Sequence, residues 1–412
     1  MKIRNLRVDE LEGGRRASAD IVWEDTPRPS QTLYFETIYP FATDLLPSPN
    51  AFALAALPAA VWAGERRLQV EGSLCTQFKD GLQAVMAIYA RWYERCRPLR
   101  IEPLDGYAPT MPRSDARTAC FLSGGVDGLT ALRANRLNYP KGHPESVREC
   151  ILLFGANDFE CTVDGPVPER LADFRRVQSR LLDLAASEDF ELVPVLTNTR
   201  LLIGDYASWT SVGFGAANVS VAHALSRRFT RVLFASDGNG VDAPPGASHP
   251  LLDQFFSTAA VQVWHEHAGW NRLDKLRLLA EWPPALRIMQ PCHRIKVLPE
   301  GQVNCGHCEK CIRTMLGLLA LGKLGEAEAF TAHDVTPKMI DEIPVINAVK
   351  ADLLRQLVEP LRGVGREDLV SAVRAKVTAF ERRERLRRLT PDFVRRLKRS
   401  LTAKMRSPGS HG

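Results

Sequence analysis

Four short apolar runs, at residues 118–122, 150–154, 191–196 and 231–235, punctuate the middle of the chain. Between them lie segments of helical period, near 126–135, 168–186 and 205–228. Apolar runs without polar alternation belong to strands buried on both faces, so this βαβαβ rhythm predicts a parallel sheet covered by helices on each side. Such sheets bind ligands at the carboxyl ends of their strands. The residues that follow each run are therefore where chemistry is to be sought.

The flanks read differently. Alternation over 18–23 suggests a strand, and residues 50–63 and 76–93 read as helices. No chemical motif occurs there, and a packing or substrate-covering role is expected. A polar connector at 105–117, with Pro109 and Pro112, breaks the pattern. Residues 312–321 form an apolar helix closed by Gly322, and from about 331 onward the chain reads as helical and increasingly basic. The division expected is an accessory α/β or α+β domain at 1–110, a parallel-sheet α/β domain at 111–330, and a helical, basic segment at 331–412.

Composition narrows the class only slightly. The 412 residues are 45% hydrophobic and 25% charged, as in ordinary globular proteins. The start, Met1-Lys2-Ile3-Arg4-Asn5, lacks the apolar core of a secretory signal. The longest apolar stretch, 51–64, is too short for a bilayer and contains Pro58, so no membrane span is expected. A cytoplasmic enzyme or binding protein fits these observations. The net charge of +6 is more than accounted for by residues 382–406, where eleven Lys/Arg face only Glu384 and Asp392. Contact with nucleic acid is thus expected only through this tail, which also reads as a solvated helix face.

The run at 118–122 leads directly into Ser123-Gly124-Gly125-Val126-Asp127-Gly128, with a helix following at once. Glycines let the backbone turn tightly and approach an anion. The N–H groups of the turn and the helix N-terminus then supply partial positive charge. Ser123 can donate its hydroxyl, while Asp127 can cap the helix or hold Mg2+. The string lacks the Gly-Lys-Ser/Thr ending of a Walker A loop.

Nine cysteines occur, and three of them, Cys305, Cys308 and Cys311, stand at two-residue intervals. With Cys292 they make a four-thiolate set, the donor pattern of a structural Zn2+ site with no open position. His293 and His307 are alternative ligands. An iron–sulfur cluster is the rival reading, but Thr314 and Met315 stand where a ferredoxin-type run needs Cys and Pro.

These two motifs carry a resemblance. Ser-Gly-Gly-Xaa-Asp after the first parallel strand resembles the signature of the PP-loop ATP pyrophosphatases, which share an adenine nucleotide alpha hydrolase-like α/β fold. The knuckle Cys305-Gly306-His307-Cys308-Glu309-Lys310-Cys311 is similar to the zinc knuckle of the 7-cyano-7-deazaguanine synthase branch. The resemblance covers roughly residues 115–325. It implies binding of ATP with Mg2+ at Ser123, Gly124, Gly125, Val126, Asp127 and Gly128, with Ser123, Asp127 and Lys275 as the catalytic set. It further implies adenylation of a carboxylate or carbonyl of a deazapurine-like or related small acid, release of pyrophosphate, and attack by a nitrogen nucleophile. Gly128 departs from the motif's serine; a lost charge-assisted donor would cost about 1.5–3 kcal/mol. Thr130 is a candidate substitute.

Around this centre the sequence offers further residues. Asp158, after the second strand, either contacts the nucleotide or caps a turn. Asp237 and Asp242, after the fourth, are candidates for holding an amine-bearing base. Asn218, His249 and Asp253 fall where the family has substrate-facing segments, although Ala217 replaces an arginine there. Arg272 and Lys275 open a helix, as the lysine-bearing helix that faces substrate does in the family. Arg294 and Arg313 bracket the cysteine knuckle and could reach phosphates, whereas His265 and His267 read as packing or surface residues. Two further readings stay open: a catalytically weakened nucleotide-binding partner, or homodimer, within a multi-protein biosynthetic or antiphage system, and an RNA-modifying PP-loop enzyme.

Overall fold

The structure, a computed structural model, describes residues 1–109, 117–156, 160–237, 243–292, 298–299, 301–345 and 347–389. Its strands are β1 Lys2–Leu11, β2 Gly14–Val22, β3 Gln31–Ile38, β4 Arg67–Val70, β5 Leu74–Cys75, β6 Arg100–Pro103, β7 Tyr107–Ala108, β8 Thr118–Phe121, β9 Val147–Phe154, β10 Glu191–Thr197, β11 Arg231–Ala235 and β12 Gln262–Glu266. The helices are α1 Pro49–Ala63, α2 Thr76–Trp92, α3 Val126–Asn138, α4 Pro168–Glu188, α5 Tyr206–Ser208, α6 Phe214–Ala224, α7 Arg272–Ala280, α8 Pro283–Ile288, α9 Glu309–Ala320, α10 Pro337–Glu342, α11 Ala348–Arg355, α12 Val358–Gly363 and α13 Glu367–Leu389. A π-helical turn, Trp209–Gly213, joins α5 to α6.

Ten strands form one sheet in the order β12-β11-β8-β9-β10-β3-β2-β1-β4-β6. From β12 to β10 every pairing is parallel. The meander β3-β2-β1 is antiparallel, and β4 and β6 then run parallel to β1. The chain is therefore α/β with a large, mostly parallel central sheet. Its apolar runs at 118–122, 150–154, 191–196 and 231–235 are the parallel strands β8 to β11.

The parallel half is wound in two directions. From β8 the chain builds outward through α3, β9, α4 and β10, then returns by α6 to add β11 and β12 on the other side of β8. Right-handed crossovers place α3 and α4 on one face and α6 on the other. Phe154 of β9 meets Phe174 of α4 at 4.9 Å between ring centres. On the opposite face Ala119, Ile151, Val193 and Val232 share a buried core with α1, α2 and α6.

Residues of the expected accessory segment and of the expected nucleotide domain contribute to this one sheet. The join is the antiparallel pairing of β10 with β3, Val195 opposite Thr37 and Thr197 opposite Phe35. Side chains reinforce it: Thr37 donates to the Pro194 carbonyl at 2.6 Å, and the Asn198 carboxamide accepts from Tyr34 N–H and donates to the Thr32 carbonyl.

Contacts divide the chain into two units, Met1–Cys305 with Glu326–Ala329, and Gly306–Gly325 with Phe330–Gly412. The second is helical: α13 packs on α10, α11 and α12 through Leu369, Val370, Val373 and Val377. Beyond Phe380, the arginines Arg382, Arg383, Arg385 and Arg387 are exposed. Among the described residues no helix is long and apolar enough to cross a membrane.

Candidate functional site

Where the winding reverses, between β8 and β11, the loops after both strands open at the carboxyl edge of the sheet, the place where such folds bind ligands. The loop after β8 is the glycine string. Leu122 still donates to the Ile151 carbonyl at 2.9 Å, and then Gly124 turns at a φ of 79°. Gly125 caps α3, which starts at Val126. Among the described residues, the N–H groups of Gly124, Gly125, Val126 and Asp127 meet no acceptor. Ser123 is exposed beside them.

Gly128 has a different duty. A Cβ there would lie 2.7 Å from the Phe121 carbonyl oxygen and 3.4 Å from Leu122 Cα. The residue faces β8, and its lack of a side chain is what lets α3 sit close on the strand, the packing use of a glycine at a strand–helix turn. Thr130 does not replace the motif hydroxyl: it is buried, and its Oγ1 donates to the Val126 carbonyl at 2.7 Å.

Across the switch point, α7 brings two cations to this loop. A capping box fixes its first turn, with Asn271 Oδ1 accepting from Leu273 and Asp274 N–H, and the Asp274 carboxylate accepting from Asn271 N–H. Arg272 and Lys275, three residues apart, therefore project on one side. Lys275 Nζ donates to Asp127 Oδ1 at 2.7 Å and to the Ser236 carbonyl at the end of β11. Arg272 Nη2 reaches Asp127 Oδ2 at 3.2 Å and the Asp237 carbonyl at 3.4 Å.

Lys275 is wholly buried, an uncommon position for an ammonium. Burial lowers its pKa, opposed by the attraction of Asp127. Burial works against the Asp127 charge too, but Arg272 and Lys275 outweigh it and hold the carboxyl below the usual carboxylate range. Ser123, Asp127, Asp237, Arg272 and Lys275 thus gather at one place, two cations facing two carboxylates beside the N-terminus of α3.

Other expected residues are engaged elsewhere. Asn218 donates to the Phe214 carbonyl within its own helix. Asp253 is fully buried and accepts from Ser248 Oγ at 2.7 Å, His249 N–H at 3.2 Å and His265 Nδ1 at 2.7 Å. The His249 ring is used on both nitrogens, accepting from Leu251 N–H and donating to the Ala243 carbonyl. Asp158, Asp242, His293 and Arg294 lie outside the described residues. Arg313 pairs with Glu309 at 3.2 Å on α9.

The four cysteines converge. The Sγ atoms of Cys292, Cys305, Cys308 and Cys311 all lie within 4.8 Å of one another, with Cys308 and Cys311 at 3.4 Å. Thiolates about 2.3 Å from a tetrahedral zinc would stand about 3.8 Å apart, so this set can hold a metal ion such as zinc. His307, exposed, is not part of the cluster. Gly306 turns at a φ of 70° to bring Cys308 to the start of α9. Asn304 orders the approach: it is buried, donates to the Met289 and Ala329 carbonyls at 2.9 Å, and accepts from Cys292 N–H at 3.3 Å.

Three residues near these features carry no motif. Gln290 N–H donates to the Gly124 carbonyl at 2.7 Å, and Arg180 of α4 donates to Gln290 Oε1. Asn304 immediately precedes Cys305, which is the one signal that could have marked it. Compared with known proteins, the chain matches no family model, no curated protein and no solved structure.

Proposed function

We propose that this chain is a PP-loop-type, ATP-dependent ligase or synthase that adenylates a carboxylate or carbonyl of a small acid, deazapurine-like or related. The observation that carries the reading is the meeting of Asp127 in the glycine loop with Lys275 and Arg272 at the point where the sheet reverses its winding. Unmatched loop N–H groups, a helix N-terminus and two cations on one carboxylate make a site suited to a polyphosphate. In this reading Asp127 positions Lys275 and Arg272, which neutralise charge building on the leaving pyrophosphate. Mg2+, when bound with ATP, would add further charge neutralisation at the phosphates.

The reaction balances without redox chemistry. A substrate oxygen forms a bond to the α-phosphorus while the bond to the β-phosphate oxygen breaks, and its electron pair leaves with pyrophosphate. A nitrogen nucleophile then forms the new bond to carbon, and AMP departs with the oxygen. The thiolate cluster fits a structural Zn2+ and takes no step in this chemistry.

The test is product identity. Full-length, metal-loaded protein is incubated with ATP, Mg2+, ammonium and a panel of carboxylated deazapurines and small acids, with mass detection of AMP, ADP and pyrophosphate. AMP with pyrophosphate is expected; ADP, or no nucleotide cleavage across the panel, counts against a ligase. Tight ATP binding without turnover would instead favour a nucleotide-binding partner. Asp127 specifically favours that second reading, because both neighbouring cations already occupy its carboxylate.

A further inference from the structure

We infer that Arg180, presented by Gln290, forms a second cationic wall of the phosphate site, opposite Arg272 and Lys275, and binds the terminal phosphates of the nucleotide. The inference rests on the nucleotide reading above and extends it to a residue outside every motif.

The argument starts from charge. A guanidinium removed from water is normally matched by a carboxylate. Arg180 is half-buried, yet among the described residues it meets only the neutral Gln290 Oε1. Burial, with the nearby Arg176 second, lowers its pKa, so its surroundings oppose the charge and do not offset it. No carboxylate among the described residues answers it, which leaves the place open to an anionic ligand.

Its address is the glycine loop. Gln290 N–H donates to the Gly124 carbonyl at 2.7 Å, and the atoms nearest a Cβ built on Gly124 are Gln290 Cβ at 3.6 Å, the Ile288 carbonyl oxygen at 3.8 Å and Leu181 Cδ2 at 3.8 Å. Gln290 therefore touches the loop with its backbone and Arg180 with its side chain. Leu181, next to Arg180 on α4, touches the same glycine. Gln290 is itself more than nine-tenths buried, and among the described residues its Nε2 has no partner. A buried donor left over beside a half-buried cation marks the place as built for an acceptor.

The arrangement is held from behind. Met289 O and Cys292 N–H, on either side of Gln290, are both bonded to Asn304. The fork of Arg180 is thus set on a fixed amide, and a planar guanidinium matches phosphate oxygens in pairs as an ammonium cannot.

Calorimetry on the full-length, metal-loaded protein tests this with three probes: Mg-ATP, inorganic tripolyphosphate and AMP. Arg180→Gln is expected to weaken Mg-ATP and tripolyphosphate about tenfold or more, with AMP changed less than about twofold. Arg180→Lys, which keeps the charge without the fork, is expected to recover only part of the loss. Should Arg180→Gln lack the wild-type melting transition, Arg180→Lys alone carries the test, with a loss of about threefold or more expected for tripolyphosphate. Wild type binding Mg-ATP with both variants unchanged would overturn the role of Arg180 and leave the nucleotide reading standing. Wild type binding tripolyphosphate but not Mg-ATP, with Arg180→Gln weakened, would support Arg180 and remove the nucleotide. Binding of none of the probes by wild type would overturn both.

Discussion

Gly128 stands where the family resemblance would place serine, and the distance of 2.7 Å from a built Cβ to the Phe121 carbonyl decides what that means. Gly128→Ser is expected to destabilise the protein by about 1–3 kcal/mol, because the helix must lift from β8 to admit the side chain. Nucleotide affinity should not improve. Urea denaturation and calorimetry of the variant check both halves, and a stable variant with tighter ATP binding would contradict them. The sequence alone shows a missing hydroxyl; only the backbone path shows that the position faces the strand. Asp127 and Lys275 differ in this respect. Each draws notice in the sequence, one from its loop and one from its helix start, but the 2.7 Å between them spans 148 positions and exists only in the fold.

At the scale of elements, legibility follows burial. Strands β8 to β11 are buried on both faces and stand out as apolar runs. Strand β1 is mostly polar and carries a bulge between Arg4 and Arg7, so it has neither an unbroken run nor a clean alternation. The pair Met289 and Gln290, just before the legible Cys292, is equally hidden, since its importance lies in what it touches: the loop on one side and Asn304 on the other. Asn304→Ala removes both carbonyl contacts and the Cys292 N–H acceptor together. Metal affinity, measured by chelator competition, is expected to fall about 10–100-fold, as when an outer-shell hydrogen bond is lost. Unchanged affinity would mean that the cysteines hold their geometry without it.

The whole molecule carries a built-in sensitivity to acid. His223 of α6 is fully buried beside Phe78, bonds the Phe256 carbonyl at 2.8 Å through Nε2, and is pushed down to about 4 by burial. An unfolded imidazole titrates near about 6.5, so below that pH the unfolded chain takes up the proton first. The contribution of His223 to stability is therefore intact above about pH 6.5 and is lost as pH falls toward 4, with a slope of up to about 1.4 kcal/mol per pH unit. Urea denaturation at pH 7, 6 and 5 should show a shallower decline for His223→Gln than for wild type, and parallel profiles would refute it.

The pairing of β10 with β3 has one more effect. Without the first hundred residues, β10 would present the row Glu191-Leu192-Val193-Pro194-Val195-Leu196-Thr197 as an open edge, its Val193 and Val195 stripped of neighbouring apolar surface. Exposed apolar edges recruit other chains. The β1–β3 meander covers this edge of the parallel strands, and a chain shortened to its glycine loop and cysteines is expected to expose it and to self-associate.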